Sequence, residues 1–340
     1  MWVRLLRTGF RRFADVNARV CLRGLCLAST LLLTITGAAS DLADPFGQRG
    51  RELTFYYSVN GYERDAWFGE PAALALDERS NLLYVADRKD GTIDAFSIQG
   101  IAKFRYGAKE KLGPPLAVAV DKKGNIYVAE NIGGPIKIID SKRQITTLQL
   151  EAAEGDDTPK PGRMTFDRDG NLYVVDQANC RLYVFDKERK LKIKLGGRGE
   201  KRGEFKMLQD VAVDRQGRIY ALDAMGIPVQ VFDRKGKYIY RFGFHGEGDR
   251  DLGFPTAIAI DRNDQLWIVD KGQHALKVFD RVGTFLRRFG SYGLGEGTLF
   301  HPVDLEIDSF GRVFVAEAGA RRLQVFTLSR PYEPFTPAEF

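Results

Sequence analysis

The 340-residue chain is short of cysteine: of its three, Cys21 and Cys26 lie in the first 40 residues, leaving Cys180 alone. One thiol makes no internal disulfide, so the body must be held by packing. Long apolar runs are also missing. The longest candidate, LCLASTLLLTIT at 25–36, has 12 residues where a bilayer span needs about 20. Elsewhere no segment sustains a 3.6-residue apolar period, which excludes a helical bundle. The body also lacks a charge excess. The formal net charge is +6, but Arg4, Arg7, Arg11, Arg12, Arg19 and Arg23 stand against only Asp15 in residues 1–40, leaving 45 basic and 44 acidic side chains in the rest. A body this near neutrality has no general attraction for a phosphate backbone, so no nucleic-acid partner is expected. No G-x-S-x-G elbow occurs, and the loop GGRGEKRG at 196–203 lacks the GK[ST] ending of a phosphate-binding loop.

What is present begins with a leader. An arginine-rich stretch, the short apolar run and the small residues GAAS at 37–40 have the order of a secretory signal peptide. Residues 1–40 are therefore expected to be removed on export, placing the protein in the periplasm or outside the cell with no transmembrane span after cleavage. An uncleaved anchor is the alternative.

The body repeats itself. Asp77, Asp121, Asp167, Asp214, Asp261 and Asp308 recur at intervals of 44, 46, 47, 47 and 47 residues. A turn such as KKGN or RDGN follows most of these anchors, its Gly or Asn suited to a tight hairpin. A second strand then carries an aromatic at one fixed place (Tyr84, Tyr127, Tyr173, Tyr220, Trp267, Phe314) and ends in an acid (Asp87, Glu130, Asp176, Asp223, Asp270, Glu317). Four short strands per unit predict an all-β, six-bladed β-propeller over 51–328, with four antiparallel strands in each blade. The sixth unit stops after its third strand, 323–328, while an orphan strand, 51–59, precedes the first. Pairing the two closes the ring and removes an exposed edge. The tail 329–340 is proline-rich and is expected to lie outside the blades.

The wording of several units resembles NHL repeats. GGRGEKRGEFKMLQDVAVD (196–214) and GFHGEGDRDLGFPTAIAID (243–261) show that family's glycine-rich approach to a G-x-F or G-F-x stop. Asp176, Asn179 and Arg181 resemble its D-x-x-N-x-R turn. The resemblance covers about 67–328 and is looser in blades 1 and 2. It implies an NHL-type propeller, a fold that serves as a binding platform and occasionally as an enzyme.

Three sets of residues are candidates for chemistry. The six strand-ending acids suit turn hydrogen bonding better than a ring of cation ligands. His245, His274 and His301 fall in loops of one rim, where three imidazoles could hold zinc. Amidating lyases of this fold hold a metal by histidine, but their recurring P-H-S wording is absent. No cofactor is expected, with structural calcium or zinc the alternative. The third set lines the axis. Four residues before each anchor stand Ala73, Ala117, Arg163, Asp210, Ala257 and Asp304, and two before it Ala75, Ala119, Thr165, Ala212, Ala259 and Glu306. Arg163, Asp210, Asp304 and Glu306 break a small-residue rule and must be paired, hydrated or used. An Arg163–Asp210 pair between adjacent blades is expected, and these four residues are the candidate binding site at the channel mouth. The leading expectation is an exported, monomeric, non-enzymatic scaffold that binds a protein partner or small ligand through one rim. The alternative is a metal-dependent lyase or hydrolase with its site at the channel mouth.

Overall fold

The computed structural model describes residues 52–63 and 66–328. The chain divides into two units, Met1–Arg49 and Gly50–Phe340. The first unit lies outside the described residues, as do the leader 1–40 and the tail 329–340.

The second unit contains six four-stranded antiparallel sheets. Their innermost strands are Pro71–Asp77, Pro115–Val120, Pro161–Phe166, Leu208–Val213, Pro255–Ile260 and Pro302–Ile307. Each packs against the next and the sixth returns to the first, closing the ring. The closing blade takes its outer strand from the other end of the propeller. Leu53–Val59 pairs antiparallel with Arg322–Leu328, in a register that sets Phe55 against Phe326 and Val59 against Leu323.

The repeated residues have repeated work. The second-strand aromatics are buried, and four of them also bond the anchor aspartate of their own blade: Tyr127 to Asp121 at 3.3 Å, Tyr173 to Asp167 at 3.2 Å, Tyr220 to Asp214 at 3.3 Å and Trp267 to Asp261 at 3.1 Å. One residue type thus fills the space between blades and fixes the hairpin at its end. Between blades 3 and 4, Val175 and Leu182 pack with Val211 and Ile219. Each such buried side chain contributes about 1.5–3 kcal/mol. Near the ends of the glycine-rich connectors, Phe205, Leu252 and Leu299 are buried. Each forms an isolated bridge with a residue seven earlier in the chain, which gives the three connectors one shape.

Every innermost strand also carries a bulge between its sixth and fourth residues before the anchor, or one residue further on in blade 3. The extra residue breaks the ladder and leaves backbone groups unpaired by the sheet. Two of the carbonyls, those of Ala72 and Val303, face the axis, where Arg163 takes both.

Candidate functional site: the axis and the two rims

Arg163, Asp210, Asp304 and Glu306 line one cavity of about 260 Å³. The pairing within it differs from the expected one. Arg163 forms its ion pair with Asp304 through Nη1. Its Nη2 donates to Ala72 O at 3.0 Å and Val303 O at 2.8 Å. Blades 3 and 6 stand opposite one another in a ring of six, so the guanidinium crosses the axis. Asp210, on the neighbouring blade 4, does not take that pair because its oxygens are already bonded. Oδ1 accepts the Val211 N–H at 2.8 Å and Oδ2 the Ile258 N–H at 2.9 Å. Asp304 repeats the device: its oxygens accept from Leu305 at 2.9 Å and from Leu74 at 2.6 Å. Each aspartate therefore ties its own inner strand to that of the next blade, blade 4 to 5 and blade 6 to 1.

Burial governs the electrostatics here. Desolvation pushes Asp210 up to about 7, with Arg163 acting against it and Asp304 with it. Asp304 is also raised by burial, against the pull of Arg163. Glu306 rises well above the ordinary carboxylate range, first through desolvation and then through the charges of Asp304 and Asp210. One guanidinium is shared among three carboxyl groups, so desolvation outweighs attraction at each acid.

The three histidines lie on the rim formed by the blade-to-blade connectors and the turns between second and third strands. His245 Nδ1 lies 3.0 Å from Leu252 O and its Nε2 2.7 Å from Gly226 O. His274 Nδ1 accepts the His301 N–H at 3.1 Å, and these two rings stack with centroids 5.1 Å apart. Burial and the neighbouring His301 lower the His274 pKa. Among the described residues, no group of three His, Cys, Asp or Glu side chains is placed to hold a metal ion. The strand-ending acids fasten this rim, as their position implied. Asp87, Glu130, Asp176, Asp223, Asp270 and Glu317 each accept at least one connector N–H, from Gly69, Gly113, Lys160, Lys206, Gly253 and Phe300 respectively. In the NHL-like turn, Asn179 Nδ2 donates to Asp176 at 2.7 Å, while Arg181 forms two bonds to Asp156 at 2.6 and 2.8 Å.

Sequence reasoning missed what these fastenings leave outside. Phe244, Tyr292, Leu294 and Met225 are 74%, 68%, 65% and 54% exposed, all on this rim in blades 4 to 6. The loops that carry them are linked to one another. The His245 ring reaches the turn that holds Met225, Gln273 Nε2 donates to Gly246 O at 2.8 Å, and His274 packs on Tyr292 with centroids 5.0 Å apart. The available signal was large apolar residues inside loops otherwise made of glycine and charged residues.

A family model described as a 6-bladed beta-propeller (DUF5128) matches residues 121–229. NHL repeat-containing protein 2 of Homo sapiens is 30% identical over 168 residues, covering 39% of this chain and 23% of that protein. The chloroplastic protein SUPPRESSOR OF QUENCHING 1 of Arabidopsis thaliana is 24% identical over 171 residues, covering 39% of this chain and 16% of that one. The matches thus span less than a quarter of these relatives' length. Among solved structures, the gluconolactonase XC5397 from Xanthomonas campestris superposes with a TM-score of 0.59 at 18% identity, covering 82% of this chain and 90% of that one. A streptogramin B lyase gives a TM-score of 0.59 at 14% identity, over 81% of this chain and 98% of that one. At such identities the likeness is one of fold.

Proposed function

We propose that this chain, a six-bladed propeller of the NHL-repeat family, is a non-enzymatic scaffold that binds a protein partner through its connector rim. The observation that carries the reading is the exposure of Met225, Phe244, Tyr292 and Leu294 on neighbouring loops of one rim. Soluble proteins seldom leave large apolar side chains contiguous on a surface unless something covers them. The matching partner surface is therefore apolar. The arginine-rich leader with its short apolar run supports work outside the cytoplasm.

Several groups an enzyme would draw on are committed to structure. Both nitrogens of His245 face carbonyls. His274 Nδ1 holds a backbone amide. Cys180 is buried. Asp210 has both oxygens on backbone amides.

The test is affinity capture from the native cell envelope with the parent chain and with the double variant Phe244→Ser, Tyr292→Ser. Exposed substitutions of this kind change stability by about 0.5 kcal/mol or less, so the variant should fold and lose the partner. Recovery of the same partner by both would refute the rim assignment.

A further inference from the structure

The connector entering blade 6 is tied differently from the others on its rim. In blades 1, 4 and 5 the strand-ending acid accepts two successive connector amides. The second comes from the residue just before the inner strand, Glu70, Met207 or Phe254. Lys160 makes that bond in blade 3, and in blade 2 the residue is Pro114, which has no N–H to tie. In blade 6, Glu317 takes the first amide, that of Phe300, while its other oxygen holds Arg322 and Gln324 at 2.7 Å each. The second amide, His301 N–H, goes instead to Nδ1 of His274 on blade 5, at 3.1 Å. An imidazole thus stands where the other blades use a carboxylate.

The exchange carries strain. His301 has a φ of +49° although Pro302 follows it. A side chain at positive φ is disfavoured, and a residue before proline is pushed toward extended backbone. Glu70, Lys160, Met207 and Phe254 do not share this conformation. It persists only where surrounding contacts over-determine it. Those contacts are the bond to His274, a bond from Ala318 N–H to His301 O at 3.1 Å, and ring contacts with His274 and Phe300 at 5.1 and 4.5 Å. His274 also packs on Tyr292. The middle of the connector is held by other means: Arg322 donates to Leu294 O and Gly295 O, and Gln324 accepts from Gly297 N–H. What hangs on His274 is the His301 corner and the Tyr292 ring.

We propose that His274 and His301 form an acid-released latch, shut while His274 is neutral and opened when it takes a proton, that sets the position of Tyr292 on the connector rim. To accept the His301 N–H, Nδ1 must be bare, so the neutral ring carries its proton on Nε2. Protonation sets a second N–H against the first, and the strained corner loses its bond. The groups facing the ring are His301 and Tyr292 from the connector and Asp270 from its own turn, which is paired with buried Lys277. Arg288 of the outer strand bonds the Gln273 carbonyl beside it, and Glu317 of blade 6 holds the adjacent Phe300 amide. Burial and His301 favour the neutral ring, Asp270 opposes them, and the balance lowers the His274 pKa. Opening therefore takes up a proton, and the latch gives way as pH falls below the ordinary histidine value of about 6.5. Among the described residues no metal site competes for either ring. The consequence for a partner rests on the connector-rim reading; the latch itself does not.

Amide hydrogen exchange of the purified chain, read by NMR near pH 7.5 and near pH 5 and corrected for the unstructured-chain rate at each pH, tests the latch. Protection of the His301 amide should fall severalfold on acidification, up to about tenfold for each pKa unit by which latching lowers the ring. The Met207 amide, tied to Asp223, should keep its protection. His274→Asn puts an amide oxygen where Nδ1 stood, and asparagine tolerates the positive φ of this position. That variant should keep His301 protected at both pH values. Unchanged protection of His301 in the parent, or an equal fall at Met207 or in the variant, overturns the proposal. The parent comparison needs neither variant nor partner, so it stands whether or not the rim captures one.

Discussion

The two rims of this propeller share one kind of backbone tie and differ in the side chains added to it. On the connector rim, buried acids fasten the loops by their backbone: Asp223 takes the amides of Lys206 and Met207, and Asp270 those of Gly253 and Phe254. The loop side chains are left to project. On the turn rim the anchor acids likewise take backbone amides, Asp121 those of Lys123 and Asn125 and Asp214 those of Gln216 and Arg218, and arginines add ties between blades. Arg79 reaches the Asp121 carbonyl at 2.7 Å and Arg262 the Ser309 carbonyl at 2.6 Å, each on the next blade. Arg218 and Arg312 close onto their own anchors, Asp214 and Asp308, at 2.5 Å. The connector loops carry Phe244 and Tyr292 outward.

The largest expected effect breaks the backbone tie. Asp270→Ala removes the acceptor for two connector amides and strands Lys277, which is fully buried beside it at 3.3 Å. Losing one member of a buried pair costs about 3–5 kcal/mol, and urea unfolding should show it. Asp214→Ala on the turn rim should cost less, because the cation it leaves behind, Arg218, is partly exposed whereas Lys277 is fully buried. Equal losses would mean that burial of the stranded cation does not set the cost.

A smaller effect sets the axis apart from both rims. The folded-state pKa values of Asp210, Asp304 and Glu306 all lie above their ordinary values. The folded cluster therefore holds protons that the unfolded chain has released. Its stabilising contribution is full below the ordinary carboxylate range and is lost as pH rises toward about 7, where Asp210 titrates. Glu306→Gln removes one of these groups. It should leave the melting temperature unchanged near pH 4 and raise it relative to the parent near pH 8. A variant that melts lower than the parent at the higher pH contradicts this sign.

The architecture was legible because every blade writes the same constraint. The anchor aspartates, the second-strand aromatics and the closing acids recur because each blade must cap a hairpin, fill an interface and tie a connector. Ring closure by 51–59 was readable from a missing fourth strand, and the structure pairs Leu53–Val59 with the last described strand. The candidate axial residues were legible as exceptions to a small-residue rule, and they do share one cavity. Their pairing was not readable. Sequence order makes Arg163 and Asp210 neighbours around the ring, but the long Arg163 side chain crosses to the opposite blade, and Asp210 spends its oxygens on backbone amides. Which amides a bulge frees is a property of the folded strand, invisible in residue order. The exposed rim escaped for another reason: exposure of an apolar loop residue depends on whether a neighbouring loop covers it.

The central claim, that the connector rim binds a partner and the turn rim does not, is tested most directly by placing a photo-crosslinking residue at one exposed aromatic on each. Tyr292 and Phe310 are matched for this purpose at 68% and 71% exposed. Irradiation in the native host should give a discrete protein adduct from position 292 and none from position 310. An adduct from position 310 alone, or the same adduct from both, would contradict the account.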